Sequence, residues 1–161
     1  MNRRERRFFD KLKSEIDDWQ ESEKGKVSQW SGYVNFAPEL FRFICRLSES
    51  TAIAADGRQK LAVAIEYFMR PVDFIPEAAL GPAGYMDDIA IAVYTLKILI
   101  SEYGPETVEK FWKGEDEIHG VIRGVLNVAD EKFGRGLWRT LRALVDDPRM
   151  FKEMVNMEIA R

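Results

Sequence analysis

The stretch Tyr67-Phe68-Met69-Arg70-Pro71-Val72-Asp73-Phe74-Ile75-Pro76-Glu77, followed by Ala78-Ala79-Leu80-Gly81-Pro82-Ala83 and then Gly84-Tyr85-Met86-Asp87-Asp88, decides the fold. It ends one helix, turns through acidic residues, and opens the run Ile89 to Ile100, which is apolar almost all round. A helix apolar on every side has to be enclosed by others, so this run is the expected centre of the protein. Pro71 should stop the preceding helix, because the residue before a proline is pushed out of the helical region. Pro76 can start a short helical turn that Gly81-Pro82 ends, and Asp87 or Asp88 is expected to cap the central helix.

The remaining chain reads as helices packed on that centre. Phe8, Leu12, Ile16 and Trp19 recur at helical steps, predicting an amphipathic first helix, and the polar stretch from Gln20 to Ser28 reads as a loop. Pro38 suits the first turn of a helix whose buried stripe is Leu40, Phe41, Ile44 and Leu47. Leu61, Ala62, Ile65 and Phe68 mark the helix that Pro71 stops. Beyond the centre, Pro105 opens a short helix carrying Val108, Phe111 and Trp112 that Gly114 closes, and Ile118, Val121, Ile122, Val125, Leu126, Ala129 and Phe133 keep a helical rhythm. Gly134-Arg135-Gly136 reads as a turn before the stripe Leu137, Trp138, Leu141, Leu144 and Val145. Asp146-Asp147-Pro148 then precedes a terminal helix with Phe151, Met154 and Val155. No alternating strand pattern bounded by turns occurs. The expectation is all-α, a single compact multi-helix domain over residues 1–161, with residues 1–28 a basic amphipathic helix and loop and residues 61–100 the core motif.

Composition narrows the function classes. A chain of 161 residues with 46% hydrophobic residues can bury a core, and a net charge of -3 argues against nucleic acid as a partner, because phosphate recognition needs clustered uncompensated cations. A single cysteine, Cys45, excludes an intrachain disulfide and Cys-based zinc motifs, and its apolar surroundings suggest a buried thiol. The longest apolar run falls short of the ~20 residues a membrane span requires, and the N-terminus lacks the apolar stretch of a secretion signal, so the expected location is cytoplasmic.

The central residues carry a resemblance. Tyr67-Phe68, Pro71-x-Asp73-x-Ile75-Pro76-Glu77 and Gly84-Tyr85-Met86-Asp87-Asp88 before an apolar helix are similar to the YkvA-like family, domain of unknown function 1232, over about Leu61 to Ile100. Glu77 stands where that pattern usually has Asp, and the Gly81-Pro82-Ala83 link is about one residue longer. The resemblance implies a helical fold and brings no established activity.

Two site readings follow. Asp73, Glu77, Asp87 and Asp88 could converge if the link folds back, and such carboxylates would suit Mg²⁺ or Ca²⁺, which take hard oxygen ligands. The competing reading is structural, since Asp at helix starts and turns accepts backbone N–H bonds, and on it no cofactor is expected. Arg3, Arg4, Arg6, Arg7, Lys11 and Lys13 against Glu5 and Asp10 make a basic arm beside Phe8, Phe9 and Trp19, so residues 1–19 could contact an anionic membrane peripherally; docking on the protein's own core is the alternative. His119, the single histidine, lies among acids without a nearby nucleophile and reads as a solvated surface residue, and no phosphate-cradling loop is present. The leading expectation is a non-catalytic helical interaction or scaffold module with a protein partner, and a divalent-cation protein or metal-dependent enzyme is the alternative.

Overall fold

The computed structural model describes residues 1–70 and 81–160, with side chains described as far as residue 157. The expected turns over Asp73, Pro76 and Glu77 therefore lie outside the described residues. In chain order the helices are α1 (Arg3–Glu21), α2 (Glu23–Val27), α3 (Ser31–Val34), α4 (Ala37–Ser48), α5 (Ala55–Met69), a 3₁₀ turn (Gly81–Tyr85), α6 (Met86–Tyr103), α7 (Pro105–Glu109), α8 (Ile118–Lys132), α9 (Arg135–Asp146) and α10 (Pro148–Ala160). No strand occurs among the described residues, and the fold class is all-α.

Helix α6 is the centre, as its apolar run predicts. It packs against α3, α4, α5, α7, α8 and α9, and Ile89 to Val93, Leu96 and Leu99 are fully enclosed. Its last turns open on one side, where Lys97 is exposed and Ile98 and Ile100 are half-buried. Helix α1 docks on this core through Leu12 and Ile16, and Phe8 meets Phe41 edge-on at a centroid distance of 4.8 Å. Its start is fixed by a capping box that pattern reading missed: the Glu5 N–H donates to Asn2 Oδ1 and the Asn2 N–H donates to Glu5 Oε1, which satisfies two helix-end donors reciprocally.

Several local expectations need correcting. The stretch from Gln20 to Ser28 is not all loop, because Ser22 caps the short helix α2 through the Gly25 N–H. Only glycine fits at position 25, where a Cβ would overlap the Trp19 carbonyl oxygen. Ala62 is exposed, and the buried face of α5 is instead Leu61, Val63, Ala64, Ile65, Tyr67 and Phe68. Phe111 and Trp112 lie just past the end of α7, with Trp112 Nε1–H donating to the Asp116 carbonyl. Gly134, at a φ of +77°, makes the break before α9 by itself, and Arg135 is already helical. Arg70 takes the extended conformation expected before Pro71. Cys45 is fully buried in α4, and burial pushes its thiol pKa well above the ordinary range.

Candidate functional site

The site is the joint between the end of α5 and the start of α6. Tyr85 occupies the cap position of α6 without a side-chain cap bond, so Asp87 and Asp88 fall one and two residues inside the first turn rather than at the cap. This corrects the capping assignment, for the helix starts earlier than its aspartates suggest. Carboxylates there still suit the positive end of the helix dipole and the first-turn N–H groups, which have no carbonyl partners within the helix.

Both aspartates are completely enclosed, at 0% exposure. A buried carboxylate is costly to desolvate and persists only when polar groups compensate it. Tyr67, also at 0%, supplies one such group: its hydroxyl donates to Asp87 Oδ2 at 2.5 Å. A short hydrogen bond to a carboxylate is among the stronger kinds, and here it pins the last turns of α5 to the first turn of α6 across 20 residues of sequence. The Tyr85 hydroxyl donates to Glu15 Oε2 at 3.0 Å, which ties the entry of α6 to α1. Deeper in α6, Thr95 satisfies its buried hydroxyl by donating to the Ile91 carbonyl at 2.9 Å.

A second tie was not legible as a site. Lys60 is only 8% exposed, and its ammonium makes a long hydrogen bond of 3.5 Å to the Val145 carbonyl in the last turn of α9, the helix end that favours a cation. On the outer side of α5, Glu66 lies between Arg4 of α1, at 3.4 Å, and Arg70, at 3.3 Å.

Of the four carboxylates singled out for a cation, Asp87 and Asp88 stand side by side in the enclosed joint, whereas Asp73 and Glu77 lie outside the described residues. Among the described residues no group of three His, Cys, Asp or Glu side chains is placed to hold a metal ion. His119 is not simply solvated. It is half-exposed and its Nε2 meets Glu109 Oε1, linking α8 to α7. Glu117 precedes it as the cap of α8, with Oε1 and Oε2 each accepting a backbone N–H at 2.8 Å, from His119 and Gly120. The His119 N–H is the main cause holding the Glu117 carboxyl below the usual carboxylate range. Sequence reading missed this cap because glutamate is outside the short-side-chain set that normally fills it.

The basic arm is exposed at Arg3, Arg4, Arg6, Arg7, Lys11 and Lys13, while the apolar face of its helix is turned inward. Among the described residues no helix is long and apolar enough to cross a membrane.

A similar protein, "Uncharacterized protein ORF9" from Methanothermobacter thermautotrophicus, is 27% identical over 112 residues, covering 67% of this chain and 77% of its own. No solved structure matches the chain. Residues 60–94, which contain both ends of the Tyr67–Asp87 bond, match the family described as Protein of unknown function (DUF1232).

Proposed function

We propose that this is a non-catalytic helical interaction module, cytoplasmic, in which the family segment builds a rigid joint and the outer helix faces meet a protein partner. The supporting observation is the complete enclosure of Asp87 and Asp88, with Asp87 engaged by Tyr67. Groups that substrate and water cannot reach serve architecture better than turnover, and their polarity is spent within the fold. Peripheral contact with an anionic membrane through residues 1–19 is part of the reading only as an electrostatic attraction of Arg3, Arg6, Arg7 and Lys13. Leu12 and Ile16 are committed to the core and cannot insert into lipid. Vesicle sedimentation that survives replacement of those four residues by Gln would remove the membrane contact.

The second reading is a divalent-cation site, or a metal-dependent enzyme, that uses Asp73, Glu77, Asp87 and Asp88. It is favoured by one observation, two adjacent carboxylates buried at a helix start, where a cation would compensate charge. Thermal melting with millimolar Mg²⁺, Ca²⁺ and Mn²⁺ separates the two. A cation at a hundredfold excess over its dissociation constant would add ~2.7 kcal/mol of stability. The module reading expects no rise with any of them. A rise abolished by both Asp73→Asn and Asp88→Asn would replace it with the cation reading.

A further inference from the structure

Helices α5 and α10 leave an open groove of about 450 Å³ between them. Its floor is apolar, with Ala62 and Val63 from α5 and Phe151 and Val155 from α10. Its rim is cationic: Arg70, Arg149 and Lys152 stand on it with the carboxylate Glu66, and Arg149 also pairs with Asp147 beside the rim at 3.3 Å, in a chain whose net charge is -3. Glu66 is itself bracketed by Arg70 and by Arg4 from outside the groove, so the local field is positive.

The two walls meet where Tyr67 of α5 packs on Phe151 of α10 at a ring distance of 6.4 Å. Arg70 ends the α5 wall, and Arg149 and Lys152 stand on the α10 wall. From Gln59 to Arg70 the α5 wall is ~16 Å long, about three turns. These cations come from two different helices and rim an apolar floor. They match carboxylates distributed along a helix whose other face is apolar.

We propose that this groove is the docking site for an acidic amphipathic helix of a protein partner, with apolar side chains at helical spacing on Ala62, Val63, Phe151 and Val155 and Glu or Asp side chains opposite Arg70, Arg149 and Lys152. The inference rests on the interaction-module reading and names the partner's chemistry.

The test is a selection of displayed random peptides of about 16 residues on the intact protein, long enough to fill the groove as a helix. Affinities of the enriched sequences are then measured on the wild type, Lys152→Glu and Ala62→Glu. Both positions are exposed, so each variant should keep the wild-type circular-dichroism melt. The enriched peptides should be net negative with apolar residues at three- and four-residue steps. They should bind either variant about tenfold more weakly and lose affinity in high salt. Enrichment of no sequence, enrichment of basic peptides, or binding to both variants as tight as to the wild type would overturn the assignment. Sedimentation with phosphatidylserine vesicles that Lys152→Glu abolishes would transfer the groove to a membrane and equally overturn it. A failed selection without a cation-dependent melting rise removes the groove alone, whereas a rise removes the module reading beneath it.

Discussion

Replacing Tyr67 by Phe removes one oxygen from a place that water does not reach. The ring stays, so no large cavity forms, and the change falls on Asp87 Oδ2, which loses a donor at 2.5 Å while remaining fully enclosed. A hydrogen bond to a charged group contributes ~1.5–3 kcal/mol, so Tyr67→Phe should destabilise by ~2 kcal/mol. In a domain of this size that corresponds to a melting point lower by ~4–8 °C. The assay is urea unfolding of wild type, Tyr67→Phe, Asp87→Ala and their double variant, with Asp87→Asn measured beside them. Asn keeps a carbonyl oxygen that can accept the Tyr67 hydroxyl, so Asp87→Asn should be milder than Asp87→Ala. The cycle should return a coupling of ~1 kcal/mol or more between the two sites. Independent effects that simply add, or a loss below ~0.5 kcal/mol for Tyr67→Phe, would refute the pin and leave Asp87 without the structural role assigned to it.

Three further outcomes are expected. Leu99, fully enclosed, should cost ~2–5 kcal/mol when truncated to Ala, against ~1 kcal/mol for half-buried Ile98; equal losses in denaturant melts would contradict the one-sided opening at the end of α6. Glu117→Ala should lower the urea midpoint through loss of the α8 cap, and an unchanged midpoint would show the two backbone bonds to be idle. The Tyr94 hydroxyl donates to Asp146 Oδ1 at 2.7 Å, and its pKa is pushed up to about 12 by burial first and this hydrogen bond second. A raised folded-state pKa gives stability that is complete below the ordinary value near 10 and is lost as pH rises through the folded one. The stability gap between wild type and Tyr94→Phe should therefore narrow from about pH 10 to about pH 12, and a gap constant over that window would remove the linkage.

The helices were legible where burial repeats at 3.6 residues. Leu12 and Ile16, then Leu40, Phe41, Ile44 and Leu47, then Val121, Ile122, Val125 and Ala129, and then Leu141, Leu144 and Val145 face inward as their spacing requires. The central helix was legible from its lack of a polar face. What escaped is set by contacts between elements. Ala62 is small enough to stand on either face, and α10 leaves it uncovered at the edge of the groove. Helix α2 is too short for any period, and its place is set by Ser22 and by the approach of Gly25 to Trp19. Asp87 and Asp88 were legible as a helix start but not as buried groups. Their spacing fits a cap equally well, and only the packing of α5 against α6 brings Tyr67 to Asp87. The ties of Lys60 to the Val145 carbonyl and of Glu66 to Arg4 lay outside every local pattern, because these partners are distant in sequence.

The lone thiol of α4 gives the protein a built-in clock. Cys45 has no sulfur partner in the sequence and no solvent access, and burial suppresses its reactive thiolate. A small disulfide reagent can therefore modify it only during openings that part α4 from its neighbours. The rate at which colour develops counts those openings one site at a time, without a label or an engineered residue. The Met1 amino group, paired with Glu49 at the end of α4, and Glu5 lie near this thiol, so the rate reads how firmly α4 is held together with the start of α1.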